Sequence, residues 1–122
     1  MNLEEENQVL DYERINENFE YMFDIYSEMS EKFLSEYPGM LEIISSDIKH
    51  KNFRAFGDNA HSLKGALQAM YATEAAKCAY IIEQMGDSGE TTGVNEAYTE
   101  LVTKIDKMIL VLADFLAEKA AL

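Results

Sequence analysis

The run Ala60-His61-Ser62-Leu63-Lys64-Gly65-Ala66 concentrates the reactive side chains of this sequence. An imidazole has an unperturbed pKa of about 6.5, so near neutral pH His61 keeps a lone pair on one ring nitrogen and can act as a nucleophile. On a helix, positions three, four and seven residues away share its face: Arg54, Gly57, Asp58, Lys64, Gly65 and Gln68. Glycine inside a helix costs about 0.5–1 kcal/mol relative to alanine, so two glycines centred on one histidine ask for a reason. An empty space on both sides of the ring would admit a bulky partner. Close packing against another helix is the competing reason, and for Gly57 the two stand level. The Lys64 ammonium can stabilise the negative charge of a group transferred to the ring, such as a phosphoryl, and disfavours protonation of the imidazole. Arg54, Asp58 and Gln68 are candidate docking residues, with ordinary solvated side chains as the alternative for each.

Metal binding is the rival chemistry. Asp47-x-x-His50 and Asp58-x-x-His61 have the spacing of carboxylate-imidazole pairs that chelate on a helix face. Both pairs face away from the apolar stripe, Lys64 repels a cation beside His61, and no inward glutamate pair completes a site. No metal is therefore expected. His50 reads better as a residue near a helix C-terminus, where partial positive charge is favourable. Cys78 is the single cysteine, which excludes an internal disulfide and a thiolate cluster.

The elements that position His61 follow from the apolar periodicity. Phe53, Phe56, Ala60, Leu63, Leu67 and Met70 are spaced 3, 4, 3, 4, 3, which predicts a helix over about Asn52–Met70. His61 lies one residue beyond this stripe and so points to solvent beside the seam. A longer amphipathic stretch precedes it, from Asp11, a plausible N-cap, to His50. Pro38-Gly39 predicts a kink or break within it. A third helix starts at Thr73 as N-cap and runs to about Met85, with Gly86 in the left-handed position after it. A fourth covers roughly Val94–Lys119. These lengths and short connections predict an all-α fold, an up-down-up-down antiparallel four-helix bundle with a short extra N-terminal helix. One domain spans 1–122, with residues 1–10 loosely held and the bundle over about 11–120.

Charge narrows the partners. Ten Lys and Arg against 23 Asp and Glu give a net charge of −13, which argues against nucleic acid and anionic lipid. No basic N-terminal region with an apolar run is present, and no apolar run approaches a membrane span. A cytoplasmic monomer is expected. There is no Gly-rich or Walker-type nucleotide loop, so the chain has no ATP site of its own.

The run from Ala60 to Ala66 resembles the signature of the histidine phosphotransfer (HPt) domain family, Ala-His-x-Leu-Lys-Gly-small. Phe33-Leu34-Ser35-Glu36-Tyr37-Pro38 is similar to the Phe-Leu-x-x-x-Pro of the family's preceding helix. Cys78 with Ile82-Glu83 resembles its next helix, and Gly86-Asp87 the turn after it. The resemblance covers most of the chain from about Val9. It implies a four-helix bundle with a phosphoacceptor, His61, on an exposed helix face, assisted by Lys64 and given steric access by Gly65. It further implies that receiver domains of response regulators, and possibly a hybrid sensor histidine kinase, are the partners. No cofactor is bound by the chain, and Mg²⁺ sits on the receiver. The family's glycine ten residues after the histidine is Tyr71 here, which bears on partner docking. Two related readings stay open. One is the N-terminal phosphoacceptor domain of a chemotaxis-type kinase, which the Met1 start and the end at Leu122 make less favoured than a free-standing protein. The other is a receiver-binding module whose His61 is never phosphorylated.

Overall fold

The computed structural model describes residues 3–121, and among them it is all-helical, with six helices and no strand. They are α1 (Leu3–Val9), α2 (Tyr12–Phe19), α3 (Phe23–Lys49), α4 (Phe53–Ala69), α5 (Thr73–Ser88) and α6 (Val94–Ala120). α4 lies against α5 and α3, α6 lies against α5 and α3, and α1 reaches both α5 and α6. The expected helix over Asn52–Met70 is α4, one residue shorter at each end. All six residues of its predicted stripe pack in the core except Phe53, which is partly exposed.

The long first segment divides where no break was expected and continues where one was. Residues 20–22 separate α2 from α3, whereas α3 passes through Pro38 without interruption. Proline removes one helical donor and leaves the carbonyl four residues earlier without its usual partner. Here both Pro38 and Leu34 are exposed, so water can satisfy that carbonyl and the helix survives. At the other end, Asp11 caps α2 as expected, its Oδ1 accepting the Arg14 N–H at 3.2 Å. The N-terminal segment is not loosely held through residue 10. Val9 and Leu10 are buried in the core, and Ile15 joins them from α2. Met1 and Asn2, also assigned to that segment, lie outside the described residues.

An aromatic cluster seals the end of the molecule where α4 turns into α5. Tyr12, Phe23 and Tyr26 each contact Phe115, and Phe19 packs on Tyr26. Tyr26 is fully buried, and its hydroxyl donates to the Met70 carbonyl at 3.0 Å. That bond ties α3 to the end of α4 and satisfies a polar group that would otherwise be orphaned.

Both helix ends around α4 close in the same way. Lys51 (φ 58°) and Tyr71 (φ 61°) occupy the left-handed region usually left to glycine. The next N–H in each case reaches back five residues, Asn52 to Asp47 and Ala72 to Leu67, each at 2.9 Å. This is the Schellman closure. Tyr71 therefore preserves the helix end that a glycine would make, at a cost of about 1–2 kcal/mol for the left-handed backbone.

Its side chain offsets part of that cost. The Tyr71 hydroxyl accepts from Asn18 Nδ2 at 3.1 Å, its ring meets Phe19 edge-on, and its carbonyl accepts the Asp11 N–H at 2.9 Å. Tyr71 thus fastens α2 to the α4–α5 turn. Tyr71→Gly is expected to leave global stability within about 1 kcal/mol, because relieved strain opposes lost contacts and added chain entropy. Amide protection in α2 should nevertheless fall, which hydrogen exchange with peptide-level resolution would detect.

Candidate functional site

His61 sits in the middle of α4, on the side facing α5, and its side chain is 66% exposed. Its Nδ1 is hydrogen-bonded to Oε1 of Glu83, from α5. The other carboxylate oxygen of Glu83 accepts from Lys64 Nζ at 2.7 Å. Among the described residues Glu83 is one of two buried polar side chains, with only 8% of its surface accessible. Burial by itself pushes its carboxyl up, but hydrogen bonds from Lys64 and His61, together with their charges, outweigh that and hold it below the usual carboxylate range. An ionised carboxylate can only accept, so Nδ1 carries the proton. The free lone pair is then on Nε2, which has no hydrogen-bond partner among the described residues.

Lys64 is where the spacing placed it, less than a turn from His61, but its ammonium is joined to Glu83 rather than standing alone beside the ring. It also lies 4.9 Å from the centroid of the Tyr80 ring. With 17% of its side chain exposed, it is a held charge rather than a waving one. A group arriving on Nε2 would meet Lys64 as an ammonium already oriented by Glu83.

The two glycines have different jobs. A Cβ added at Gly65 would meet nothing within 4 Å, so this flank of His61 is open to an approaching molecule. A Cβ added at Gly57 would lie 3.2 Å from Asp87 Oδ1 and 3.3 Å from Gly86 Cα. Gly57 is buried against α5, so helix packing is its role, and the reading of it as an opening for a partner is corrected. Gly86 is corrected with it. Expected to follow its helix in a left-handed conformation, it lies inside α5, and Gly89 (φ 74°) takes the left-handed C-cap three residues later. The expected N-cap of α5 also moves by one residue, to Ala72.

The contact between Gly57 and Gly86 is what brings Glu83 into reach. Glu83 lies three residues before Gly86 and His61 four residues after Gly57, so one close approach of the two helices sets both. A Cβ at Gly86 would come within 2.6 Å of the Gly57 Cα and of the Phe53 carbonyl oxygen, both backbone atoms that cannot turn aside. Gly86→Ala is therefore expected to push α5 from α4 and destabilise the protein by about 1–3 kcal/mol. Urea unfolding would measure the loss, and NMR of the His61 ring nitrogens would show Nδ1 released from Glu83.

Arg54, Asp58 and Gln68 are exposed along α4, and Tyr71 is half-buried at its C-terminal end. Gln68 and Tyr71 line a groove that also includes Lys64, and Arg54 and Asp58 lie toward the other end of α4. His50 is the C-cap residue of α3, its Nδ1 2.8 Å from the Ser46 carbonyl oxygen. Asp47 accepts from Asn59 at 2.7 Å. Among the described residues no group of three or more His, Cys, Asp or Glu side chains could hold a metal ion. No helix among them is long and apolar enough to cross a membrane.

Sequence reasoning assigned no role to Glu83. A signal was present: Ala76, Ala79, Ile82, Glu83 and Gly86 fall on the inward side of α5, and a carboxylate among them needs a cationic partner. The partner lay in a different helix, which periodicity does not reveal.

Residues 28–115 match the family model described as Hpt domain, and α1 and α2 precede the matched segment. No curated protein and no solved structure matches the chain significantly.

Proposed function

The chain belongs to the Hpt domain family, and from that premise we propose that it carries a phosphoryl group on Nε2 of His61 between the aspartates of two receiver domains. The observation that best supports this is the carboxylate of Glu83 on Nδ1, which leaves Nε2 as the exposed nucleophile. In the forward step the Nε2 lone pair attacks phosphorus, the bond to the aspartyl oxygen breaks, and the aspartate leaves as a carboxylate. The ring gains positive charge as the N–P bond forms. Glu83 stabilises that charge through the Nδ1 proton, and Lys64 meets the phosphoryl oxygens. The receiver would hold Mg²⁺, which would supply charge neutralisation at the phosphoryl oxygens. The reverse step returns the group to a second aspartate.

In this reading α3 to α6 form the up-down-up-down four-helix bundle of a single-domain, monomeric cytoplasmic phosphocarrier. Gly65 keeps the flank of His61 clear, and the receiver docks over α4 and α5. A hybrid sensor kinase is a natural source of one receiver. The test is incubation of the chain with a panel of phosphorylated receiver domains and Mg²⁺. Acid-labile, base-stable label mapped to His61 by mass spectrometry is the expected result. Label that appears only with a kinase ATP-binding domain as donor would replace the relay by the chemotaxis-type phosphoacceptor. No label from either source would leave the non-phosphorylated receiver-binding module.

A further inference from the structure

We propose that the groove between α2 and α5 receives an acidic segment of the receiver domain docked at His61, and that Arg14 and Lys77 select which receivers fit. The proposal rests on the phosphorelay reading and extends it to partner choice.

The groove, about 540 Å³, is lined by Asp11 and Arg14 from the start of α2, Gln68 and Tyr71 from α4 and the turn after it, and Lys77 and Tyr80 from α5. Lys64 lines the groove and is also bonded to Glu83, the residue that holds His61, so the groove and the reactive site share a side chain. Its charge is the reverse of the molecule's. Three of the ten basic residues of a chain with net charge −13 line it, against one of the 23 acidic residues, Asp11. Asp11 caps α2 and lies 4.0 Å from Arg14, and Lys64 is held by Glu83 at 2.7 Å, so the unpaired charge of the groove is that of Lys77, with the exposed Arg14 only loosely paired. Glu74, one turn before Lys77 on α5, is held by Lys104 at 2.8 Å. Lys77 has no acidic partner among the described residues and is exposed. A local positive groove in a strongly acidic surface attracts an anionic segment while the remaining surface repels it, which gives orientation as well as affinity.

The wall carrying Arg14 belongs to α2, outside the segment matched to the family. Tyr71, the residue standing where the family pattern has glycine, holds that wall in place through Asn18 and Phe19. The departure from the pattern and the existence of the groove therefore have one cause. A glycine at 71 would leave α2 without this tether and remove one of the side chains that line the groove.

The experiment uses the full chain and the receiver that labels it best, comparing wild type with Arg14→Glu, Lys77→Glu and the double variant. The expected result is a fall of kcat/KM by about tenfold or more in the double variant at low salt, carried by KM, shrinking as salt screens the charges. Labelling of His61 by phosphoramidate, a small donor that needs no docking, should match wild type. Both positions are exposed, and circular dichroism melts would confirm the fold. Unchanged receiver transfer in the double variant overturns the groove while leaving the relay intact. Equal losses with receiver and phosphoramidate also overturn it, since the effect would then lie in His61 itself. Label from phosphoramidate but from no receiver sinks the relay reading, and the proposed occupant with it.

Discussion

His61→Gln is expected to reduce transfer from every phosphorylated receiver to background while leaving the fold intact. Glutamine has no nitrogen with an available lone pair, because its amide nitrogen is conjugated to the carbonyl and only donates. Its N–H can still reach Glu83, so the carboxylate keeps a partner and the exchange tests nucleophilicity rather than packing. The native ring is 66% exposed and glutamine retains a donor for Glu83, so the loss of stability is expected to stay within about 1.5 kcal/mol, the scale of one hydrogen bond. Radiolabel transfer beside a thermal melt would separate the two effects. Label retained on the variant would move the acceptor elsewhere in the chain.

The second large effect is expected at Glu83. Glu83→Ala removes the group that fixes the Nδ1 proton and stabilises the cationic ring as the N–P bond forms. Transfer should slow by about 100-fold, the lower end of what one preorganised charge-stabilising group contributes. Glu83→Gln separates orientation from charge, since its amide oxygen can still accept from Nδ1 but carries no net charge. Its rate should fall between those of wild type and the alanine variant. Single-turnover kinetics at saturating receiver would read these differences in the chemical step.

The same exchange changes stability with a definite pH dependence. The Glu83 carboxyl is held below its ordinary value near 4.5, so the unfolded chain takes up its proton at higher pH than the folded one. The contribution of the ionised form is therefore fully present above about pH 4.5 and is lost as pH falls through the folded value. At pH 7 Glu83→Gln should be about 1–2 kcal/mol less stable than wild type, as expected for weakening hydrogen bonds to a charged group. On acidification below pH 4.5 the gap should close. Chemical denaturation at a series of pH values would show this, and a gap independent of pH would mean the carboxylate is not held ionised by its partners.

Local patterns carried much of this architecture, and pairings across helices did not. The spacing of Phe53, Phe56, Ala60, Leu63, Leu67 and Met70 located α4 within a residue at each end, because core burial repeats with the helical turn. The same rule put His61 outside the stripe. It could not see the break at residues 20–22, since Phe19 and Phe23 pack on the same core from two helices and keep the period across the turn. Pro38 misled for the opposite reason: its penalty depends on whether the freed carbonyl can reach water, and Pro38 and Leu34 are both exposed. Gly57 and Gly86 each suggested a local explanation, but each is required by the other. Glu83 escaped because a buried carboxylate is explained only by the donors it meets, His61 and Lys64, both from α4.

The buried anchors of the N-terminal helices separate two boundaries that are often treated as one. The family signature begins at residue 28, yet Val9, Leu10 and Ile15 contribute fully to the core and Tyr12 packs on Phe115 near the other terminus. Excising residues 1–27 would strip Tyr12, Phe23 and Tyr26 from Phe115 and the Tyr26 hydroxyl from the Met70 carbonyl, an apolar scar at the end of the molecule where α4 turns into α5. Such a scar favours self-association. The smallest segment that carries the signature is thus smaller than the smallest segment that can fold as this protein does.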